Sequence, residues 1–261
     1  MDNSGPGPAT PAEVTAQALP GEVAELAGEL SEAESPSRRR KLTAAIPQLA
    51  RRGGRATWYG ALSGGRWLTA EVLAMAPRLP VRDQQTLRAQ FPGFTPEELA
   101  DALIQGSTRA AAAVGAAAGT VMVLPLPTAP VEVAIETLAL VGIEIKLVAE
   151  LHEVYGMRPS GSSTERMMSY VGAWARRRGV ALGPGGLALA MGSPLRRRLQ
   201  RRLIARAGRS ALSVGPLLTG AVAGAAINRR ETRRLGTDVR DDLRHRSPYT
   251  TSWPDRGRPV S

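Results

Sequence analysis

Two histidines, His152 and His245, and no cysteine are all that this chain offers toward imidazole or thiolate chemistry. Disulfides, thiolate nucleophiles, cysteine metal sites and a histidine metal cluster are therefore excluded within the chain. The HExxH, CxxC and EF-hand patterns do not occur. GPGG, Gly183 to Gly186, lacks the Gly-Lys-Ser/Thr ending that lets a P-loop hold phosphate, and reads as a turn. The serines of YGMRPSGSS are not set in a G-x-S-x-G elbow. Glu132 and Glu136 stand one helical turn apart, a spacing that could place an acid beside a base. Such pairs are more often structural, so the chain reads as noncatalytic, with no cofactor and no metal.

Arginine supplies the other chemistry. The formal charge is +11, and Lys41 and Lys146 are the only lysines. A GC-rich genome accounts for the choice of arginine but less well for its clustering. In SPLRRRLQRRLIARAGR, Ser193 is a helix cap and Pro194 the first helical residue. Leu195, Leu199, Leu203 and Ile204 make one face, and Arg196, Arg197, Arg198, Arg201, Arg202, Arg206 and Arg209 cover the rest. A basic amphipathic helix suits an anionic membrane surface or an acidic partner, or is simply a solvated face. It carries no aromatic for base stacking and no recognition motif is visible, so sequence-specific DNA binding is not expected. Nonspecific attraction to nucleic acid follows from the charge alone.

A second cluster lies in GAVAGAAINRRETRRLG. Gly220, Gly224, Asn228, Thr232 and Gly236 recur every four residues, while Arg229, Arg230, Arg233 and Arg234 occupy the other half of the wheel. A row of small residues lets another backbone come close. Ala111, Gly115 and Gly119 make a similar row, so these two helices are expected to pack together, with Asn228 and Thr232 as polar clamps. The arginines would face an anionic neighbour.

VEVAIETLALVGIEIKLVAELHEVYG is apolar around most of its circumference. Glu132, Glu136 and Glu150 share one line on it. Either this stripe faces water, the ordinary arrangement, or it is buried and takes partners from the arginine-rich helices.

The elements that carry these residues all read as helices, because no run of β-branched residues alternates with period two. TPEELADALIQ and SSTERMMSYVGAWARRR each open with a capping box, Thr95 with Glu98 and Ser162 with Glu165. Met167, Val171 and Trp174 form an apolar stripe behind the second. Residues 1–35, rich in Gly, Pro, Ala and Glu, read as a disordered acidic arm, and 245–261 as a disordered tail. The stretch 36–244 between them is the all-α domain. Three uncharged stretches, 110–131, 179–195 and 210–227, approach the length of a membrane span, but prolines and glycines interrupt them. A proline turn at 125–130 would join the first to the acidic-striped helix as a hairpin. The start of the chain lacks the basic and apolar regions of a signal peptide, which points to the cytoplasm.

LPLPTAPVEVAIETLALVGIEIKLVAELHEVYG resembles the central signature of the EcsC family and a related bacterial domain of unknown function. There a proline-rich turn precedes an acidic residue, an apolar helix and a terminal Tyr-Gly. Tyr155 and Gly156 match the last pair, Glu136 stands where aspartate is more usual, and Glu144 where glutamine is. GAVAGAAINRRETRRLG is similar to the second signature, with Asn228, Thr232 and Gly236 in place, and ADALIQGSTRAAAAVGAAAG looks like the helix before the turn. The resemblance covers roughly 95–240. It implies a helical, often membrane-associated bacterial module without established catalysis. The expectation is a single all-α domain on the inner face of the cell membrane, held by anionic lipid, a membrane protein or an acidic partner. The alternative is a soluble all-α adaptor that binds protein or RNA through its basic face.

Overall fold

A computed structural model describes residues 11–52, 65–120, 129–179 and 215–247. Eight helices lie among them, with no strand among the described residues. They are α1 (Pro11–Glu32), α2 (Pro36–Thr43), α3 (Gly65–Met75), α4 (Gln84–Gln90), α5 (Pro96–Thr120), α6 (Ala129–Val154), α7 (Ser163–Arg178) and α8 (Gly215–Arg246). A further helical stretch covers 46–52. Residues 53–64, 121–128 and 180–214 and both ends of the chain lie outside the described residues. With them go the proline turn, GPGG and the 194–209 helix.

Within the stretch 1–35 expected to be a disordered arm, Pro11–Glu32 instead forms the helix α1. Leu19, Val23, Leu26, Ala27 and Leu30 are all buried, and they recur at the 3.6-residue period of a helix with one apolar face. Alanine and glycine carry part of that face, and Pro20 lies inside the helix, so the composition resembles that of a linker. The small residues serve close packing. A Cβ on Gly142 of α6 would stand 2.8 Å from the Ala27 methyl, and one on Gly106 of α5 would stand 3.0 Å from the Ser31 carbonyl oxygen.

Local chemistry fixes where the helices begin. Thr95 N–H donates to Glu98 Oε2 at 2.8 Å, and Glu98 N–H donates back to Thr95 Oγ1 at 3.3 Å. Ser162 and Glu165 repeat this capping box at α7. α7 ends at Gly179, whose φ of 62° is the left-handed conformation of a helix C-cap.

α5, α6 and α8 form the centre. α8 pairs with α5 along most of its length: Gly224 with Gly115, Asn228 with Ala111, Gly236 with Ile104, Arg240 with Asp101, and Arg244 with Glu97. One number rises as the other falls, turn by turn, so the two helices run antiparallel. At the far end of α6, Tyr155 donates its hydroxyl to Glu97 at the start of α5, at 2.8 Å. α5 and α6 are therefore antiparallel too. α6 is the axis of the fold: from Val131 to Val154 every residue except His152 is buried. α1 and α3 cover it on one side and α7 on another. Met167, Val171 and Trp174, joined by Tyr170 and Ala175, are the residues through which α7 enters the core.

Candidate functional site

An α-helix enclosed on all sides must satisfy every polar side chain it carries, because an unpaired charge in a low-dielectric interior is costly. α6 carries Glu132, Glu136, Glu144, Lys146, Glu150 and Glu153, all of them buried. The acidic stripe of Glu132, Glu136 and Glu150 thus does not face water. α1 and α3 pack against α6, α2 lines the cleft beside Glu132 and Glu136, and Glu150 finds its partners within the fold.

Glu150 has the fullest set. Arg82, in the linker between α3 and α4, donates from Nε to Oε1 and from Nη2 to Oε2, each at 2.8 Å. Lys146, one turn earlier on α6, reaches the same carboxylate at 2.5 Å and Glu32 of α1 at 3.0 Å. Arg82 also holds Gln90 Oε1 at 2.9 Å. Burial opposes the charge on Glu150, but the hydrogen bonds from Arg82 and the charges of Lys146 and Arg82 outweigh it. They hold the carboxyl below its usual range. The same partnership raises Arg82 against the effect of its own burial.

Glu144 is claimed by two other helices. Trp174 Nε1 donates to Oε2 at 2.9 Å, Arg178 binds both oxygens, with Nε at 2.9 Å, and Thr232 Oγ1 donates to Oε1 at 3.0 Å. Arg178 reaches on to Glu231 at 3.2 Å. Glu153 receives the Tyr170 hydroxyl at 3.3 Å and Arg158 at 3.2 Å. Residues outside α6 grip all three carboxylates, α7 and α8 at Glu144, the α3–α4 linker at Glu150, and Tyr170 and Arg158 at Glu153, so sliding α6 along its axis would break all three sets at once. These groups bind one another, and their chemistry is positional.

Glu132 and Glu136 lie at the other end of α6 and line a cleft of about 510 Å³ with Arg39, Arg40 and Thr43 of α2. Both are buried, at 3 % and 1 % exposure. Arg39 is buried as well and donates to the Ala33 and Glu34 carbonyls. Burial, then the charge of Arg109, lowers its hold on the proton. Among the described residues the cleft is lined by no histidine, serine or lysine, and no cluster of described side chains could hold a metal ion.

Gly115 and Gly224 meet where α5 and α8 cross. A Cβ on Gly115 would lie 2.5 Å from the Gly224 carbonyl oxygen, and one on Gly224 would lie 2.6 Å from that of Gly115. Gly236 packs between Ile104 and Leu147. The surroundings of Gly119 and Gly220 lie outside the described residues. Asn228 clamps this contact, donating to the Ala111 carbonyl at 3.2 Å. Thr232 does not; its hydroxyl turns to Glu144 on α6, because α8 sits in the groove between α5 and α6.

The opposite side of α8 is open. Arg229, Arg230, Arg233 and Arg234 are exposed, and so are Val222, Ala223, Ala226 and Ile227 on the same arc one to three turns earlier. Val222 at 68 % and Ile227 at 53 % are the most exposed large apolar residues among those described. Arg234 pairs only loosely with Asp238, at 3.8 Å. Arg196, Arg197, Arg198, Arg201 and Arg202 lie outside the described residues. No described helix is long and apolar enough to cross a membrane.

Sequence reasoning missed Arg82, Lys146, Glu32 and the Glu144 site. One local signal was present: Lys146 and Glu150 are four residues apart, a pairing distance on a helix. No protein-family model, curated protein or solved structure matches the chain, so the resemblance over 95–240 rests on its quoted residues alone.

Proposed function

We propose that the protein is a noncatalytic, peripheral membrane-associated module that rests the open face of α8 on an anionic lipid surface. The observation that carries this reading is the coincidence of exposed Val222 and Ile227 with four exposed arginines on one arc. Apolar side chains of that size reach the acyl boundary, and arginine stems lie along it while their guanidiniums stay among headgroups. Near an anionic surface each arginine contributes on the order of 1 kcal/mol, so four contribute about 4 kcal/mol, roughly a thousandfold in partition. The rest of the chain supports a rigid platform: Glu144, Glu150 and Glu153 of α6 are held by internal ion pairs, and the chain as a whole carries a formal net charge of +11. The proposed location is the cytoplasmic face of the cell membrane. The resemblance to the EcsC family is in keeping with such a role.

Vesicle flotation tests it. The full chain is expected to float with vesicles containing phosphatidylglycerol and not with phosphatidylcholine alone, and to be released as salt shortens the range of the field. Combined Arg229→Glu, Arg230→Glu, Arg233→Glu and Arg234→Glu should abolish flotation while circular dichroism is unchanged. Flotation by that variant at the wild-type level would overturn the assignment to α8. Binding of an acidic protein or RNA, with no flotation at low salt, would favour the soluble adaptor instead.

A further inference from the structure

A cleft of about 350 Å³ opens between α6, α7 and the last turns of α8, at the opposite end of α8 from the Gly115–Gly224 crossing. Its polar lining includes His152, Tyr170, Arg176, Arg177, Asp242 and Arg246. Asp242 is the only carboxylate among the described lining residues, and it binds Arg177 at 2.8 Å and Arg246 at 2.6 Å. Arg177 is further fixed by the Asp238 carbonyl at 2.8 Å. Arg176 has no charged partner among the described residues. Just outside, Glu153 is matched by Arg158, and it receives the Tyr170 hydroxyl, whose pKa burial and that carboxylate push up. With Tyr170 un-ionised, three guanidiniums and one carboxylate leave the cleft with two uncompensated positive charges.

We propose that this cleft binds a phosphoryl group, the phosphomonoester of a small metabolite or of a lipid headgroup, through Arg176, Arg177, Arg246 and His152. A phosphomonoester approaches two negative charges near neutral pH, whereas a single carboxylate would leave one arginine charge unmatched. Guanidinium forks suit phosphate oxygens, and Asp242 holds two of the three in place before any ligand arrives. The three groups carry about fifteen N–H donors, and the contacts with Asp242 and Asp238 engage few of them.

His152 completes the site. Its Nδ1 lies 2.7 Å from the Val148 carbonyl oxygen. A carbonyl only accepts, so Nδ1 bears the proton and Nε2 is the nitrogen left for a ligand. Burial weakens the ring's hold on a second proton. Arg246 and Arg177 weaken it further, against the Val148 carbonyl and Asp242, which favour it. An anion among those arginines cancels their effect, so binding carries a proton onto Nε2, which then donates to a phosphate oxygen. The site stands apart from the membrane face: Arg246 lies twelve residues beyond Arg234, about 18 Å along the helix, and lines the cleft beside α7.

Because the chain has two histidines, a proton–carbon correlation spectrum of histidine-labelled full-length protein reads the site directly, with His152→Gln assigning the signals. Inorganic phosphate, titrated against sodium chloride at equal ionic strength, should shift the His152 signal saturably and move its titration to higher pH, leaving that of His245 in place. Arg176→Gln, with an unchanged melting temperature, should weaken the phosphate midpoint about tenfold or more. Equal shifts of both histidines, a shift reproduced by chloride, or an unchanged midpoint in Arg176→Gln would each overturn the proposal. Vesicles then separate the two sources. Phosphate-competed preference for phosphatidic acid over phosphatidylglycerol at matched charge identifies a headgroup. Phosphate binding without that preference identifies a soluble phosphomonoester.

Discussion

Replacing Gly224 by alanine and Gly172 by alanine should move stability in opposite directions, although both are glycine-to-alanine changes inside helices. In isolation each change favours the helix by about 1 kcal/mol, since alanine loses less backbone entropy. At Gly172 on α7 the nearest atom to a new Cβ is the end of the flexible Arg176 side chain at 3.4 Å. Nothing opposes the gain there, and Gly172→Ala should stabilise by about 0.5–1 kcal/mol. At Gly224 the new Cβ would stand 2.6 Å from the Gly115 carbonyl oxygen, about 0.8 Å inside the 3.4 Å where ordinary contact begins. That oxygen is backbone, so relief requires α5 and α8 to part. Overpacking of this kind costs about 1–3 kcal/mol. Separation also stretches the Asn228 to Ala111 hydrogen bond, at about 1 kcal/mol more. After the propensity gain the net loss is about 1–3 kcal/mol. Urea unfolding followed by circular dichroism measures both variants against wild type, with the slope confirming that the unfolding unit is unchanged. Gly115→Ala should behave like Gly224→Ala, and the double variant should cost less than the sum, because the helices need part only once. Equal midpoint shifts in Gly224→Ala and Gly172→Ala would refute the close-approach account.

Three further outcomes follow from the buried pairs and the caps. Glu144→Gln removes the charge facing Arg178 while keeping the size. It should cost about 3 kcal/mol in urea unfolding, and a loss under 1 kcal/mol would show that Glu231 and water suffice for Arg178. Glu150 has its pKa depressed in the fold, so its contribution is present above the usual carboxylate range and lost as pH falls through the folded value. Glu150→Gln should therefore flatten the acid limb of the stability–pH profile while lowering its neutral plateau, and an unchanged acid limb would contradict the pairing. Gly179 ends α7 at φ 62°, where a Cβ is strained. Gly179→Ala should lower stability by about 1 kcal/mol by thermal melting, although no atom of the described residues lies in its way.

What could be read from the sequence were interactions that close within about one helical turn. The capping boxes at Thr95 and Ser162 are such interactions, as is the i+4 row of Gly224, Asn228, Thr232 and Gly236. Their spacing is the geometry of the helix itself, so helical state and the small face of α8 followed directly. The apolar face of α1 was present too, but alanine and glycine carried much of it within a composition that resembles a linker. Only the packed partners showed it to be a core element.

Burial of the α6 carboxylates was decided by tertiary structure alone. Arg82 precedes Glu150 by 68 residues, and Thr232 follows Glu144 by 88. Whether a glutamate stripe meets water or guanidinium depends on which distant helix covers it, and no local period encodes that. The same holds for Thr232, whose place in the row of fours suggested a clamp on α5, while the groove between two helices turned it toward Glu144. The order of charges along the chain thus determined that α6 needs partners and that arginines were there to serve. Three-dimensional packing decided which arginines turn inward to hold the fold and which, on the open arc of α8, stay outside.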